Sequence, residues 1–266
     1  MTPRQGVDSQ HHPNRSALPT LDGNQSCIAI QDEIRAAFDW DLKDDLLSAH
    51  ALKDFCQFQF GESWGDEIRD SELEKVHVSM QADLALSRSI TILGAAVEIE
   101  DVVTAIEGDH AIIAADGAIG VLTELDEWYL EKAWRRIRFI VSDGDGDFQY
   151  LLEAARRDIP FILHAHGDNE RAWSDLLELI CEHTPPLILT HQTPQNISGM
   201  YNPGGFTDGD RAVCIAMALG AKPENLNLSG FRTDIIGKWT GSTIPSQKLK
   251  KLQWMEKILH HMGVHW

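Results

Sequence analysis

The sequence predicts an α/β fold: a mostly parallel sheet with helices on both faces and a small helical N-terminal cap. Three observations carry this reading. Short apolar runs recur from residue 90 onward, "ITILG" (90–94), "AIIAAD" (111–116), "IRFIVSD" (137–143), "PFILHAH" (160–166), "PLILT" (186–190) and "NLNLSG" (225–230). Segments of helical length and pattern separate most of them, namely "ELDEWYLEKAW", "FQYLLEAARR", "RAWSDLLELICEH" and "DGDRAVCIAMALG". Strands alternating with helices predict a parallel sheet covered on both sides. Third, nearly every polar cluster follows the carboxyl end of an expected strand, at 116–117, 143–147, 164–169, 190–192 and from Gly230 on. In sheets of this kind ligands sit at those ends.

The elements follow in order. Residues 1–26 are polar, rich in Pro, Gln and His, and without periodicity, so they read as a disordered tail. From Ile30 to Phe58, Ile34, Phe38, Leu42, Leu46 and Leu52 recur near helical spacing among charges, which indicates two amphipathic helices. Residues 61–85 read as a further loop and helix, which makes 27–85 a helical N-terminal region. Residues 86–266 then form a Rossmann-like α/β catalytic domain.

Composition bounds the function. With 266 residues and 43% apolar content the chain can bury a real core. It shows neither a secretory signal nor a run of 18 apolar residues, so the expected location is the cytoplasm, with no membrane partner. Cys27, Cys56, Cys181 and Cys214 lack CxxC spacing and read as reduced thiols. A net charge of −18 argues against nucleic acid as a partner. The charge is uneven, however. Residues 201–266 hold eight Lys or Arg against five Asp or Glu, a net of +3, so the first 200 carry −21. A locally basic end suits a small anion.

The stretch "SDGDGD" at 142–147 sets three carboxylates within five residues at a strand end. It is not an EF-hand loop, because the sixth and twelfth positions are Phe148 and Ala154 where glycine and glutamate are needed. Crowded carboxylates of this kind either form a solvated acidic turn or hold a hard cation, Mg²⁺ or Mn²⁺. Asp116, ending the preceding strand, joins Asp143 and Asp145 if the two strands are neighbours. Mg²⁺ held by so few carboxylates completes its shell with substrate phosphates, which points to a nucleotide.

"HAHGDN" places His164 and His166 on one face of a strand, followed by Asp168 and Asn169. Phosphate contact, substrate positioning, a structural role and zinc binding with His191 are the readings open to this pair. "NPGGFTDGDRA" is a glycine-rich turn entering a helix near Asp208, where free N–H groups attract an anion. An ordinary capped helix is the alternative. In "GKWTGSTIPSQKLKKL", Lys238 is the expected phosphate ligand, and Lys248, Lys250 and Lys251 read as the solvated face of the last helix.

With these motifs assembled, the chain resembles the archaeal 6-hydroxymethyl-7,8-dihydropterin pyrophosphokinases, a family related to thiamine pyrophosphokinase. "TILGA", "IIAADGA", "IVSDGDGD", "HAHGDN", "THQTP", "NPGGFTDGDRAVCIAMALGA" and "GKW" occur in the family's order. Where relatives carry Asp-Leu-Asp-Gly, this chain has Asp143-Gly144-Asp145-Gly146. The resemblance implies Mg²⁺-dependent transfer of the β,γ-diphosphate of ATP to the pterin hydroxymethyl oxygen, with release of AMP, in methanopterin or tetrahydrofolate synthesis. It implies ATP and a pterin as partners and leaves room for a homodimer. It makes Asp116, Asp143 and Asp145 the metal ligands and His164, His166, Asp168 and Asn169 the catalytic group. Gly204, Gly205, Thr207, Asp208, Asp210, Arg211, Lys238 and Gln192 become the nucleotide-binding set. Thiamine or a nucleotide-activated sugar as substrate, a zinc hydrolase and a nucleotide-binding regulatory module are the competing readings.

Overall fold

A computed structural model describes residues 19–241 and 243–266. Its centre is a parallel sheet of seven strands: β1 (Ile90–Leu93), β2 (Ala111–Ala115), β3 (Ile137–Ser142), β4 (Phe161–Ala165), β5 (Leu187–His191), β6 (Met200–Tyr201) and β7 (Leu226–Ser229). The spatial order is β6-β5-β4-β3-β2-β1-β7, and every neighbouring pair runs parallel. The strands β2, β4 and β5 are buried at every position, as expected where both faces are covered.

The winding decides which helices cover which face. From β1 to β6 the sheet grows in one direction, so right-handed crossovers put the intervening helices on one side. These are α4 (Ile99–Glu107), α5 (Glu127–Arg136), α6 (Phe148–Arg156) and α7 (Glu170–Ile180). Their apolar residues share one core with α2 (Leu42–Phe60), through Ala49, Leu52 and Cys56. The opposite face would be bare. It is covered by α3 (Asp66–Ala85), α8 (Asp208–Ala218) and α9 (Pro245–His261), whose Leu73, Ile215 and Met255 belong to a second core.

The helical N-terminal region therefore supplies a helix to each face of the sheet. The first helix, α1 (Gln25–Phe38), packs near α9 through Ile30, Ile34 and Ile258. Asn24 caps it, its side chain accepting from Cys27 N at 2.9 Å. This shortens the expected tail. Leu21 is fully buried, Gly23 N donates to the Asn202 carbonyl, and Asp22 accepts from Asn202 N. Residues 1–18 lie outside the described residues. Only after β6 does the chain return to pair β7 with β1, which makes the β1–β7 boundary the point where a crevice opens. Among the described residues no helix is long and apolar enough to cross a membrane.

Candidate active site

The acidic cluster is built by strand register. Asp116 follows β2 directly, and pairing of Ala115 with Val141 sets it beside Ser142, the last residue of β3. The Ser142 hydroxyl donates to Asp116 Oδ1 and accepts from Gly144 N at 2.9 Å. Asp143 and Asp145 come next, so donor oxygens of all three aspartates lie within 4.8 Å of one another. Gly144 has φ +90°, and a Cβ there would stand 2.7 Å from Trp173 N. Glycine thus clamps this loop against α7; it does not loosen it.

Crowding shows in the electrostatics. Burial, then the charges of Asp143 and Asp145, push the Asp116 carboxyl well above its usual range. Loss of water and the Asp143 charge push Asp145 up to about 6. Asp208, from the start of α8, is driven by burial and Asp143 up to about 7. It borders the cleft beside Asp145 and is one of the residues expected to meet the nucleotide.

The histidines divide. His166 Nε2 stands 3.2 Å from Asp143 Oδ2 and Nδ1 2.8 Å from Asp168 Oδ1. Burial alone would lower its pKa, but Asp143 and the exposed Asp168 outweigh burial and raise it to about 9. The imidazolium in turn holds Asp143 well below the usual carboxylate range, against the effect of burial. Through this contact His166 positions Asp143. Asp143 Oδ1 is left buried without a partner among the described residues. His164, by contrast, is wholly buried, with Nδ1 3.0 Å from Thr190 Oγ1 and Nε2 3.5 Å from Gln192 Oε1. Burial and Arg211 keep it neutral. The two rings thus turn to different partners, His164 inward to Thr190 and Gln192 and His166 to Asp143 and Asp168.

Asn169 also changes role. Its Nδ2 donates to the carbonyls of Asp143 and His164, at 2.9 and 2.7 Å, and its Oδ1 accepts from His166 N at 2.9 Å. It ties the loops after β3 and β4 together. Gln192 donates to Asp45 Oδ1 at 2.9 Å, and Asp45 also receives Gly167 N and Arg35 Nη1. Sequence reasoning missed Arg35 and Asp45. Each is a buried charge on an otherwise amphipathic helix, and that was their only signal.

The glycine-rich turn is mostly structural. Gly204 and Gly205 have φ of +82° and +80°, and a Cβ would meet Cys27 Cβ at 2.8 Å or Arg211 Cα at 2.6 Å. They seat the turn on α1 and α8. Asp210 accepts from Phe206 N at 2.6 Å and from Thr207 N at 2.8 Å, closing the helix start as a cap. Arg211 donates to Asp208 Oδ1 at 3.1 Å and to the Phe206 carbonyl at 2.9 Å. Of the expected nucleotide residues here, Thr207 and Asp208 face the cleft.

That cleft has two lobes. The smaller opens at the ends of β1, β2 and β7, walled by Phe231, Ile235, Trp239, Leu252 and Met255. The larger, about 420 Å³, is bordered by Trp40, His166, Asn169, Gln192, Phe206 and Lys251. Asp145, Thr207, Asp208, Thr240 and Lys248 line both. Lys238 lines neither: it pairs with Glu124 and lies 4.7 Å from the Trp239 ring centroid. The lysines that line the cleft are instead Lys248 and Lys251 of α9, and Arg232, paired with Asp234, borders the smaller lobe.

With this geometry in view, the comparisons decide the family. A protein of Pyrococcus furiosus named 6-hydroxymethyl-7,8-dihydropterin pyrophosphokinase is 32% identical over 204 residues, covering 72% of this chain and 80% of that one. This chain belongs to that family. A Methanocaldococcus jannaschii protein of the same name is 29% identical over 208 residues, 70% of this chain and 79% of its own. One from Methanothermobacter thermautotrophicus is 38% identical over 119 residues, 44% and 45% of the two chains. No family model matches. A solved phospho-2-dehydro-3-deoxyheptonate aldolase from Thermotoga maritima shares 15% identity over 72% of this chain and 66% of that one with a TM-score of 0.27, too distant to bear on fold or function. In this member of the pyrophosphokinase family, the one group of three or more metal-ligating side chains among the described residues is the all-oxygen set of Asp116, Asp143 and Asp145.

Proposed function

We propose that the protein transfers the β,γ-diphosphate of ATP to the hydroxymethyl oxygen of 6-hydroxymethyl-7,8-dihydropterin, with Mg²⁺ held by Asp116, Asp143 and Asp145. The observation that carries this reading is the place of the acidic cluster on the boundary between two lobes of one cleft: Asp116 borders the smaller, Asp143 the larger and Asp145 both. A transferase needs a donor and an acceptor side by side, with its charge-neutralising group between them. The names of the relatives supply the pterin and the pyrophosphoryl group.

The residues fit a hard divalent cation. The donors are all oxygens, they converge, and Asp143 Oδ1 is buried with no partner among the described residues. When bound, such a cation offsets charge on phosphate oxygens and polarises the phosphorus under attack. The rest falls to the chain. His166 and Asn169 fix Asp143, and Arg211 fixes Asp208. Lys248 and Lys251 draw the polyphosphate in, and the apolar walls of the smaller lobe and the rings of Trp40 and Phe206 in the larger offer flat surfaces for heterocycles. The pterin oxygen forms a bond to the β-phosphorus while the bond from that phosphorus to the α–β bridging oxygen breaks. AMP leaves with the electron pair, and the hydroxyl proton passes to water. The product would enter methanopterin or tetrahydrofolate synthesis.

The test is AMP release from ATP and Mg²⁺ with and without 6-hydroxymethyl-7,8-dihydropterin, followed by mass analysis. Pterin-dependent AMP and a pterin heavier by a diphosphate are expected. ADP, or AMP formed equally well with thiamine, would overturn the assignment.

A further inference from the structure

Any group that passes between two ligands must, at the moment of transfer, touch whatever lies between their sites. This makes the five residues common to both lobes special, whichever lobe takes which substrate. Asp145 belongs to the acidic cluster, and Thr207 and Asp208 open α8. Of the other two, Thr240 has no role so far and Lys248 only a general one, as a cation of the cleft.

Both carry unused bonding capacity. The Thr240 hydroxyl is buried and has no hydrogen-bond partner among the described residues. A buried hydroxyl left unmatched is costly unless a ligand completes it. Lys248 is half-buried on α9, and among the described residues it forms no ion pair within 4 Å, whereas Lys75, Lys238 and Lys257 each pair with a glutamate. It nonetheless lines both lobes together with Asp145 and Asp208. A cation facing an acidic cluster without closing on it leaves a gap flanked by metal-ligating oxygens on one side and an ammonium on the other. A polyanion fills such a gap. Lys251 differs, for it borders only the larger lobe and stands 5.3 Å from the Trp40 ring centroid and 5.8 Å from that of Phe206.

We infer that Lys248, together with the Thr240 hydroxyl, grips the diphosphate itself at the boundary of the two lobes, where it is handed from donor to acceptor. This deepens the diphosphate-transfer reading and rests on it. Lys248 is then a catalytic residue, because it touches the reacting group and its charge counts most as negative charge builds between the phosphorus atoms.

The decisive experiment is calorimetric titration with inorganic pyrophosphate and Mg²⁺ of the wild type, Lys248→Met, Lys248→Arg, Thr240→Val, Lys251→Met and Lys238→Met, joined to steady-state kinetics. Lys248→Met is expected to weaken pyrophosphate binding by at least about tenfold, as loss of a charge-assisted hydrogen bond does. Thr240→Val should weaken it by about threefold to tenfold, and Lys248→Arg should recover most of the loss. Lys251→Met should change it less than about threefold and Lys238→Met not at all. In turnover, Lys248→Met should lower kcat by about 100-fold and raise KM for ATP by up to about tenfold. The inference falls if Lys248→Met binds pyrophosphate as the wild type does, if the wild type binds none at millimolar concentration, or if Lys248→Met and Lys251→Met are equally impaired. Should pyrophosphate binding depend on Lys248 while the wild type releases no AMP with the pterin, the diphosphate site stands and the choice of reaction fails.

Discussion

The two ends of the sheet each bury an aspartate and treat it in opposite ways. At the amino-terminal ends of β1 and β3, Asp83 is 2% exposed and held by Arg88 at 2.9 Å and Arg138 at 2.6 Å. Burial would raise its pKa, but the two guanidiniums outweigh burial and hold it below the usual value. At the carboxyl ends, Asp116 is 5% exposed and faces Asp143 and Asp145, so burial and neighbours push it the same way, upward. One end is complete within the chain. The other lacks a cation, and that deficit is what suits it to a ligand.

The contrast can be broken or sharpened by experiment, starting where the effect is largest. Asp145→Asn should lower turnover on the order of 1,000-fold, since a metal-centred charge contributes several kcal/mol to the transition state. Its melting midpoint in EDTA should be equal to or above that of the wild type. Near-normal turnover would remove the acidic cluster from the chemistry. Asp83→Asn should do the reverse, costing about 3 kcal/mol because the buried carboxylate loses its charge-assisted bonds to Arg88 and Arg138. Thermal melting would record this as a fall of roughly 6–12 °C, with kcat unchanged below the transition.

A third effect is somewhat smaller. Mg²⁺ at 100 times its dissociation constant should stabilise the wild type by about 2.7 kcal/mol, seen as a raised melting midpoint, and should leave Asp145→Asn almost unmoved. Equal shifts in both proteins would place the cation elsewhere. The smallest effect is in pH. A carboxyl raised to about 6 in the folded protein destabilises it when ionised, so the advantage of Asp145→Asn in EDTA should be full above pH 6. It should fade as the pH drops through 6 and vanish below the unfolded aspartate value of about 3.9. Asp83 runs oppositely: its lowered folded pKa means that its stabilisation is present above about 3.9 and is lost as the pH falls from there towards the folded value. Melting curves of the two variants against wild type from pH 3 to 8 separate these trends.

Much of this was legible along the chain. Six of the seven strands announce themselves as apolar runs, and β6 escapes because two residues, Met200 and Tyr201, are too few to make a pattern. The amphipathic α4 was likewise left unread between two strands. The three cluster aspartates were legible because each follows a strand and β2 lies beside β3. His164 and His166 share a strand face, but His164 lies within β4, where Thr190 of β5 and Gln192 just beyond it close over the ring. His166 lies one residue past the strand end and meets Asp143.

The sequence by itself determined the periodicity, and with it the α/β class, the strand ends and the aspartates that ride on them, since these depend on residues close along the chain. Tertiary structure decided which distant polar residues meet them. Lys238 and Lys248 are ten positions apart on one basic stretch, yet the first turns to Glu124 and the second to the cleft, because the packing of α9 on the sheet orients Lys248. Local pattern cannot tell those two lysines apart; the direction of a side chain across a cleft is a property of the packed core beneath it.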